Sequence, residues 1–256
     1  MSYIRRISGI FSRGKPVIPE RDAATLPLEE QIDAWRRAVK KMRCGIRDEE
    51  FGRIGIFPSL PGEERTSEFT GTALFYGFGD DGEGHADPVR SGKLAWDYAL
   101  KTRKKGTVWQ SPHVDFDRPD AFRPRPGAPC RPRGFYFAKI RTEGMQQTMS
   151  VAQALKSFIG VTGWGPEGFQ FLCVTHAHFP DLMSERKVPF MALADYEVAP
   201  YGFNDFIDAP HLFSSNGILG LGIGNVEQQY DGFIVPSLVL PDPWQLLQQQ
   251  KIHARR

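Results

Sequence analysis

From Leu28 onward, Leu28, Ile32, Trp35, Val39 and Met42 recur at steps of three and four residues, the period of a helix with one buried face. Pro27, Glu29 and Glu30 suit its first turn, and Arg36, Arg37, Lys40, Lys41 and Arg43 crowd its later turns, where cations complement the helix dipole. A second helix is predicted from Ser91, as N-cap, to about 103, with Leu94 and Tyr98, and Trp96 and Leu100, as its apolar pairs. A third follows Ser150, which forms a capping box with Gln153, and carries Val151, Leu155, Phe158 and Ile159 before Gly160. Strand patterns fall at 72–78, 107–110, 134–141, 168–175, 188–198, 218–226 and 233–240. Residues 44–68 are broken by glycine and proline, and 115–133, rich in Pro, Arg and Phe, reads as an extended loop.

This order predicts an α/β fold, with α+β as the alternative: a mixed sheet containing a ferredoxin-like βαββαβ portion, extended by further strands. Three parts are expected: a basic, flexible segment over 1–21, one globular domain over 22–241, and a short C-terminal helix or tail over 242–256. No internal repeat is visible.

Composition narrows the class. The chain has 256 residues, 41% hydrophobic and 24% charged, enough to bury a full core and too apolar for disorder throughout. A formal net charge of +2 attracts polyanions only weakly, so any nucleic-acid or membrane contact must rest on local clusters. Three scattered cysteines, Cys44, Cys130 and Cys173, argue against a secreted disulfide framework and for a reducing, cytoplasmic setting. No apolar run reaches the length of a transmembrane segment. Residues 1–19 lack acidic side chains and carry Arg5, Arg6, Arg13 and Lys15, with Ile4, Ile7 and Phe11 on one face if helical. That pattern suits membrane-surface contact, a targeting segment or a solvated terminus.

The densest candidate chemistry lies at 169–183, F-Q-F-L-C-V-T-H-A-H-F-P-D-L-M. Its alternating His176 and His178 project two imidazoles from one side of an extended segment. A divalent metal such as Zn could take His176, His178, Asp181 and His211. His178, Asp195 and Glu197 are the candidate catalytic residues, as proton carrier and orienting carboxylates. The stretch resembles the metal-binding turn of metallo-β-lactamase-type hydrolases, H-x-H-x-D-H after a strand. Pro180 and Asp181 stand where that family has its Asp and third His. The resemblance implies metal-assisted hydrolysis.

Other motifs are weighed alongside. The acidic loop holding Asp80, Asp81, Glu83, His85 and Asp87 suggests calcium, but an EF-hand starting at Asp81 needs glycine where Ala86 stands. A solvated loop fits it better. Gly220, Gly222 and Gly224 alternate with aliphatics, which permits close backbone approach; Asn225 in place of a third fingerprint glycine excludes dinucleotide binding. The run Arg133 to Phe137, with Leu74 and Phe75, resembles the RNP motifs of RNA-recognition domains. That implies stacking by Phe75, Phe135 and Phe137 and phosphate contacts from Arg123, Arg125, Arg131 and Arg133. The leading reading is thus a small-molecule enzyme or ligand-binding protein. RNA binding or scaffolding is the alternative, and a structural accessory subunit, its oligomeric state open, is the third.

Overall fold

A computed structural model of the chain describes residues 26–54, 71–141, 149–175, 190–200, 205–215, 217–230 and 233–241. Its first helix, α1 (Leu28–Met42), turns Ala34, Trp35, Ala38 and Met42 inward. A short helix, α2 (Asp48–Ile54), follows; three acidic residues in its first turn favour it, although Gly52 hides it from periodicity. Next come β1 (Gly71–Gly77), α3 (Pro88–Thr102), β2 (Val108–Gln110), β3 (Phe122–Pro124) and β4 (Gly134–Arg141). They are succeeded by α4 (Val151–Ser157), β5 (Thr162–Gly163) and α5 (Pro166–Gln170), which runs on as one π-helical turn over Phe171–Thr175. The remaining strands are β6 (Phe190–Ala192), β7 (Tyr196–Val198), β8 (Asp208–Ser215), β9 (Ile218–Asn225), β10 (Phe233–Ile234) and β11 (Ser237–Val239).

The fold is mixed α/β. Its strands form two sheets: an antiparallel one in the order β1-β4-β11-β5, and a larger one along β10-β6-β8-β7-β3, to which β9 is added beside β8 and β2 beside β9. Two pairs, β10 with β6 and β2 with β9, are parallel. No helix among the described residues is long and apolar enough to cross a membrane.

Strand β1 lies at a sheet edge, and an open edge leaves backbone groups without partners. Side chains from three helices supply them. Gln31 of α1 accepts from Leu74 N at 2.7 Å and donates to Thr72 O at 3.1 Å. Gln170 of α5 accepts from Tyr76 N at 2.9 Å and donates to Tyr76 O at 2.7 Å. Ser91 Oγ accepts from Phe78 N at 2.9 Å. Trp35 adds an indole bond to Leu74 O at 3.1 Å. The edge is thereby closed, and the fully buried Trp35, Trp96 and Trp164 sit in the apolar interior beside it, each contributing about 1.5–3 kcal/mol by area removed from water.

Several expectations change at this level. Ser91 is not the N-cap of α3: Asp87 is, accepting from Arg90 N at 3.0 Å with Pro88 at the first position. Residues 166–175 are helical, where the expected βαββαβ unit needs a strand. Pro166 starts the helix, every side chain from Pro166 to Thr175 is buried, and a helix apolar on all sides shows the same unbroken run as a buried strand. The expected strand at 188–198 is divided into β6 and β7 by a turn at 193–195. His211, expected in a loop, lies in β8. The capping box of Ser150 and Gln153 forms as predicted. Residues 1–21 and 242–256 lie outside the described residues.

Candidate functional site

Asp195 and Glu197 come to rest in ion pairs. Asp195, in the turn between β6 and β7, accepts from Arg131 Nη2 at 2.6 Å and from Thr162 Oγ1 at 2.8 Å. Arg131 also donates from Nε to Glu167 Oε1 at 3.0 Å, and to the carbonyls of Pro129 and Gly163. Glu167 accepts in addition from Tyr136 Oη at 2.7 Å and Gly165 N at 3.0 Å. This buried cluster joins α5, β4 and β5 to the β6–β7 turn, and hence the two sheets. Burial pushes the Asp195 carboxyl up against the pull of Arg131. For Glu167 burial acts the same way, but Arg131 and Tyr136 outweigh it and the carboxyl stays below its ordinary range. Burial opposes the Arg131 cation too, and the two carboxylates overcome it. Glu197, in β7, takes Arg123 Nε at 2.6 Å, and Arg123 lies over the Phe206 ring at 3.6 Å.

His211 points into the bare side of β9. Its register partner is Gly222, and a Cβ added at Gly224 would overlap the imidazole. Phe213, two residues on, faces Gly220 in the same way, so the glycine stripe serves internal aromatic packing. The ring of His211 is enclosed by Phe233 at 4.6 Å and Tyr230 at 5.6 Å. Burial lowers its pKa to about 3, so it is neutral near pH 7. His176, His178 and Asp181 lie outside the described residues.

The RNP-like aromatics do not form one stacking surface. In the β1–β4 register Phe75 opposes Tyr136, whereas Phe135 opposes Tyr76 and Phe137 opposes Leu74. Opposed residues share a face and neighbours alternate, so Phe75 is on the other side of the sheet from Phe135 and Phe137. Phe75 and Phe135 are buried.

A different cluster combines accessible groups with metal-ligand chemistry. The loop between β1 and α3 turns at Gly79, Gly82 and Gly84, all with positive φ. Within it Asp81 Oδ1 accepts from Glu83 N at 2.8 Å and His85 N at 3.1 Å. Its Oδ2 meets His85 Nδ1 at 3.1 Å. These bonds, that from Glu83 N foremost, hold the Asp81 carboxyl below its ordinary range. Cys130 arrives from the segment ahead of β4. An antiparallel bridge pairs Ala86 with Arg131, and Arg133 Nη1 grips Asp80 Oδ2 at 2.6 Å. The approach requires glycine at 77, because a Cβ there would overlap Pro132 O. Donor atoms of Asp81, His85 and Cys130 consequently lie within 4.8 Å of one another. Among the described residues, this is the one such group of three.

In the sequence Asp81 and His85 stand out as members of an acidic, glycine-rich loop, and Cys130 lies 45 residues beyond His85 with no motif of its own. No local signal joins them, since Cys130 reaches the loop only through the tertiary bridge. Asp87, counted with the loop's ligands, is instead the N-cap of α3. Comparison of the chain with protein-family models, with curated proteins and with solved structures finds no match.

Proposed function

We propose that the chain is a divalent-metal-binding α/β protein that holds its ion through Asp81, His85 and Cys130. The observation that carries this reading is the meeting of a carboxylate, an imidazole and a thiol from two distant segments, with donor atoms within 4.8 Å. Tetrahedral zinc spaces such ligand atoms about 3.3–3.6 Å apart, by its bond lengths, so side chains at the surface need close only by about an ångström. Sulfur and nitrogen donors favour zinc over calcium and magnesium, which prefer oxygen throughout. A reducing compartment suits a site that depends on a free thiol. Three protein ligands leave a fourth position for water, which zinc would make more acidic, the chemistry of metal-assisted hydrolysis.

Zinc content after dialysis, and zinc affinity by titration calorimetry, test the proposal. One equivalent is expected for the native protein, with affinity reduced at least about tenfold in Cys130→Ser and in His85→Ala, and no comparable calcium binding. A His176→Ala, His178→Ala double variant should bind as the native protein does. Equal zinc binding with and without Cys130 and His85, accompanied by loss in the double variant, would transfer the ion to the His176 and His178 segment and reject this site.

A further inference from the structure

We infer that the basic surface shared by α1 and α3 docks on an anionic lipid bilayer, meeting its headgroups through Arg37, Lys40, Lys41, Lys101, Lys104 and Lys105. Residues 36–43 and 98–105 hold nine of the chain's 32 lysines and arginines and none of its 30 acidic side chains. The modest net charge of +2 therefore conceals one strongly positive region. Its two segments are far apart in sequence, and the fold joins them. Helix α1 packs against α3, and both pack against the π-helical turn at Phe171–Thr175. Burial pushes the Tyr98 hydroxyl up, and the Arg37 charge acts on it in the opposite sense, so the helices meet where these two residues stand. Lys40 and Lys41 lie one turn beyond Arg37, and Lys101 one turn beyond Tyr98, a rise of about 5 Å in each case. All six cations are exposed. Asp97, the acid just before the second segment, stands by Lys93 instead.

The helix dipoles do not account for so many cations. Each helix C-terminus carries about half a unit of negative partial charge, which one cation answers, and Lys104 and Lys105 come after α3 has ended at Thr102. Arg43 closes α1 with φ of 54°, a left-handed position where glycine is usual, so a cation is kept there at a conformational cost. Arg36 is engaged by Asp33 and is left out of the surface. The chemistry of the exposed groups favours lipid over nucleic acid. Five of the six are lysines, point charges that suit a diffuse anionic surface, whereas paired recognition of single phosphates uses arginine. Tyr98, the one ring in either segment, is buried, so neither segment offers a platform for stacked bases. Leu100 is exposed instead, beside Lys101, and an apolar side chain flanked by cations is the pattern of a bilayer interface.

The test is flotation of the full-length protein with vesicles of phosphatidylcholine alone, and of phosphatidylcholine with about 30% phosphatidylserine. Binding is expected to the anionic vesicles only, weakening at least about tenfold as potassium chloride rises from about 0.1 M to about 0.5 M. Each cation near such a surface is worth about fivefold in partition, so the Lys40→Gln, Lys41→Gln variant should bind at least about tenfold less tightly. The Lys101→Gln, Lys104→Gln, Lys105→Gln variant should bind less tightly still. Lys156→Gln removes a cation of α4, outside this surface, and should stay within about twofold of the native protein. Arg43→Gly separates docking from folding: glycine suits the left-handed position, so the urea midpoint should hold or rise while vesicle affinity falls. Anionic-vesicle binding that survives both lysine variants would overturn the proposal and place the contact elsewhere on the chain. Failure of the native protein to bind anionic vesicles would overturn it as well. Should that protein instead bind a short polyuridine, and lose it in the same lysine variants, the surface belongs to nucleic acid.

Discussion

Two adjacent residues, Cys130 and Arg131, lead into regions that treat polar chemistry in opposite ways. Arg131 turns into the interior and meets Glu167 and Asp195, to which Tyr136 and Thr162 also donate, an arrangement in which the guanidinium reaches both carboxylates and two backbone carbonyls. Cys130 turns outward to a loop whose imidazole and carboxylate touch each other and remain accessible. The interior cluster has its charges balanced by close partners, as buried ions must. Among the described residues, the outer cluster retains unused ligand capacity: Cys130 Sγ and one imidazole nitrogen. Asp195, raised by burial, is held by Arg131 and Thr162, and the less conspicuous Asp81 sits beside the thiol.

That contrast can be broken most severely at Arg131. Arg131→Met leaves two buried carboxylates without their cation, and should cost about 3–5 kcal/mol in urea denaturation. A loss under about 1 kcal/mol would show that water or movement can replace the guanidinium, and that the cluster is less closed than its hydrogen bonds indicate.

A smaller effect separates the buried imidazole from the exposed one. His211 has its folded pKa lowered from 6.5 to about 3, so the unfolded chain binds the proton first as pH falls. Its contribution is complete above about pH 6.5, and is lost progressively toward pH 3. Between pH 8 and pH 5 the expected loss is about 2 kcal/mol by linkage. The two interior carboxylates act in opposite senses: Glu167, lowered, loses stability on acidification, and Asp195, raised, gains it. Denaturation midpoints from pH 8 to pH 5 should therefore flatten in His211→Gln. An unchanged slope in that variant would assign the loss elsewhere.

The smallest effect is expected at the outer cluster. Cys130→Ser and His85→Ala, in metal-free protein, should shift stability by no more than about 0.5 kcal/mol, as for surface groups outside the core. A loss of 2 kcal/mol or more in either would place these side chains among the structural ones, and remove the contrast with Arg131.

The sequence showed most clearly the elements whose signals are local. Ser150 and Gln153 are three residues apart and form their capping box without outside help. The strand at 134–141 and the helical face of Trp35 and Met42 are likewise carried by adjacent periodicity. Where burial is complete, periodicity is lost, and so the helix at 166–175 resembles a strand in sequence. His211 reads as a loop residue after Pro210, yet Gly222 and Gly224 on the neighbouring strand make room for it in a sheet. For the candidate site, Asp81 and His85 were legible as a polar turn. Their partner was not.

By itself the sequence determined the mixed α/β class, the buried face of α1, the capped start of α4 and the glycine-rich turn that orders Asp81 and His85. These depend on spacing of at most a few residues and on backbone preferences that each segment expresses alone. Only the tertiary structure decided that Arg131 joins Glu167 and Asp195 inside while Cys130 meets His85 outside. That division comes from the bridge between Ala86 and Arg131 and the close pass at Gly77. Such contacts between distant segments form when the chain closes around a common core, and no local pattern encodes them.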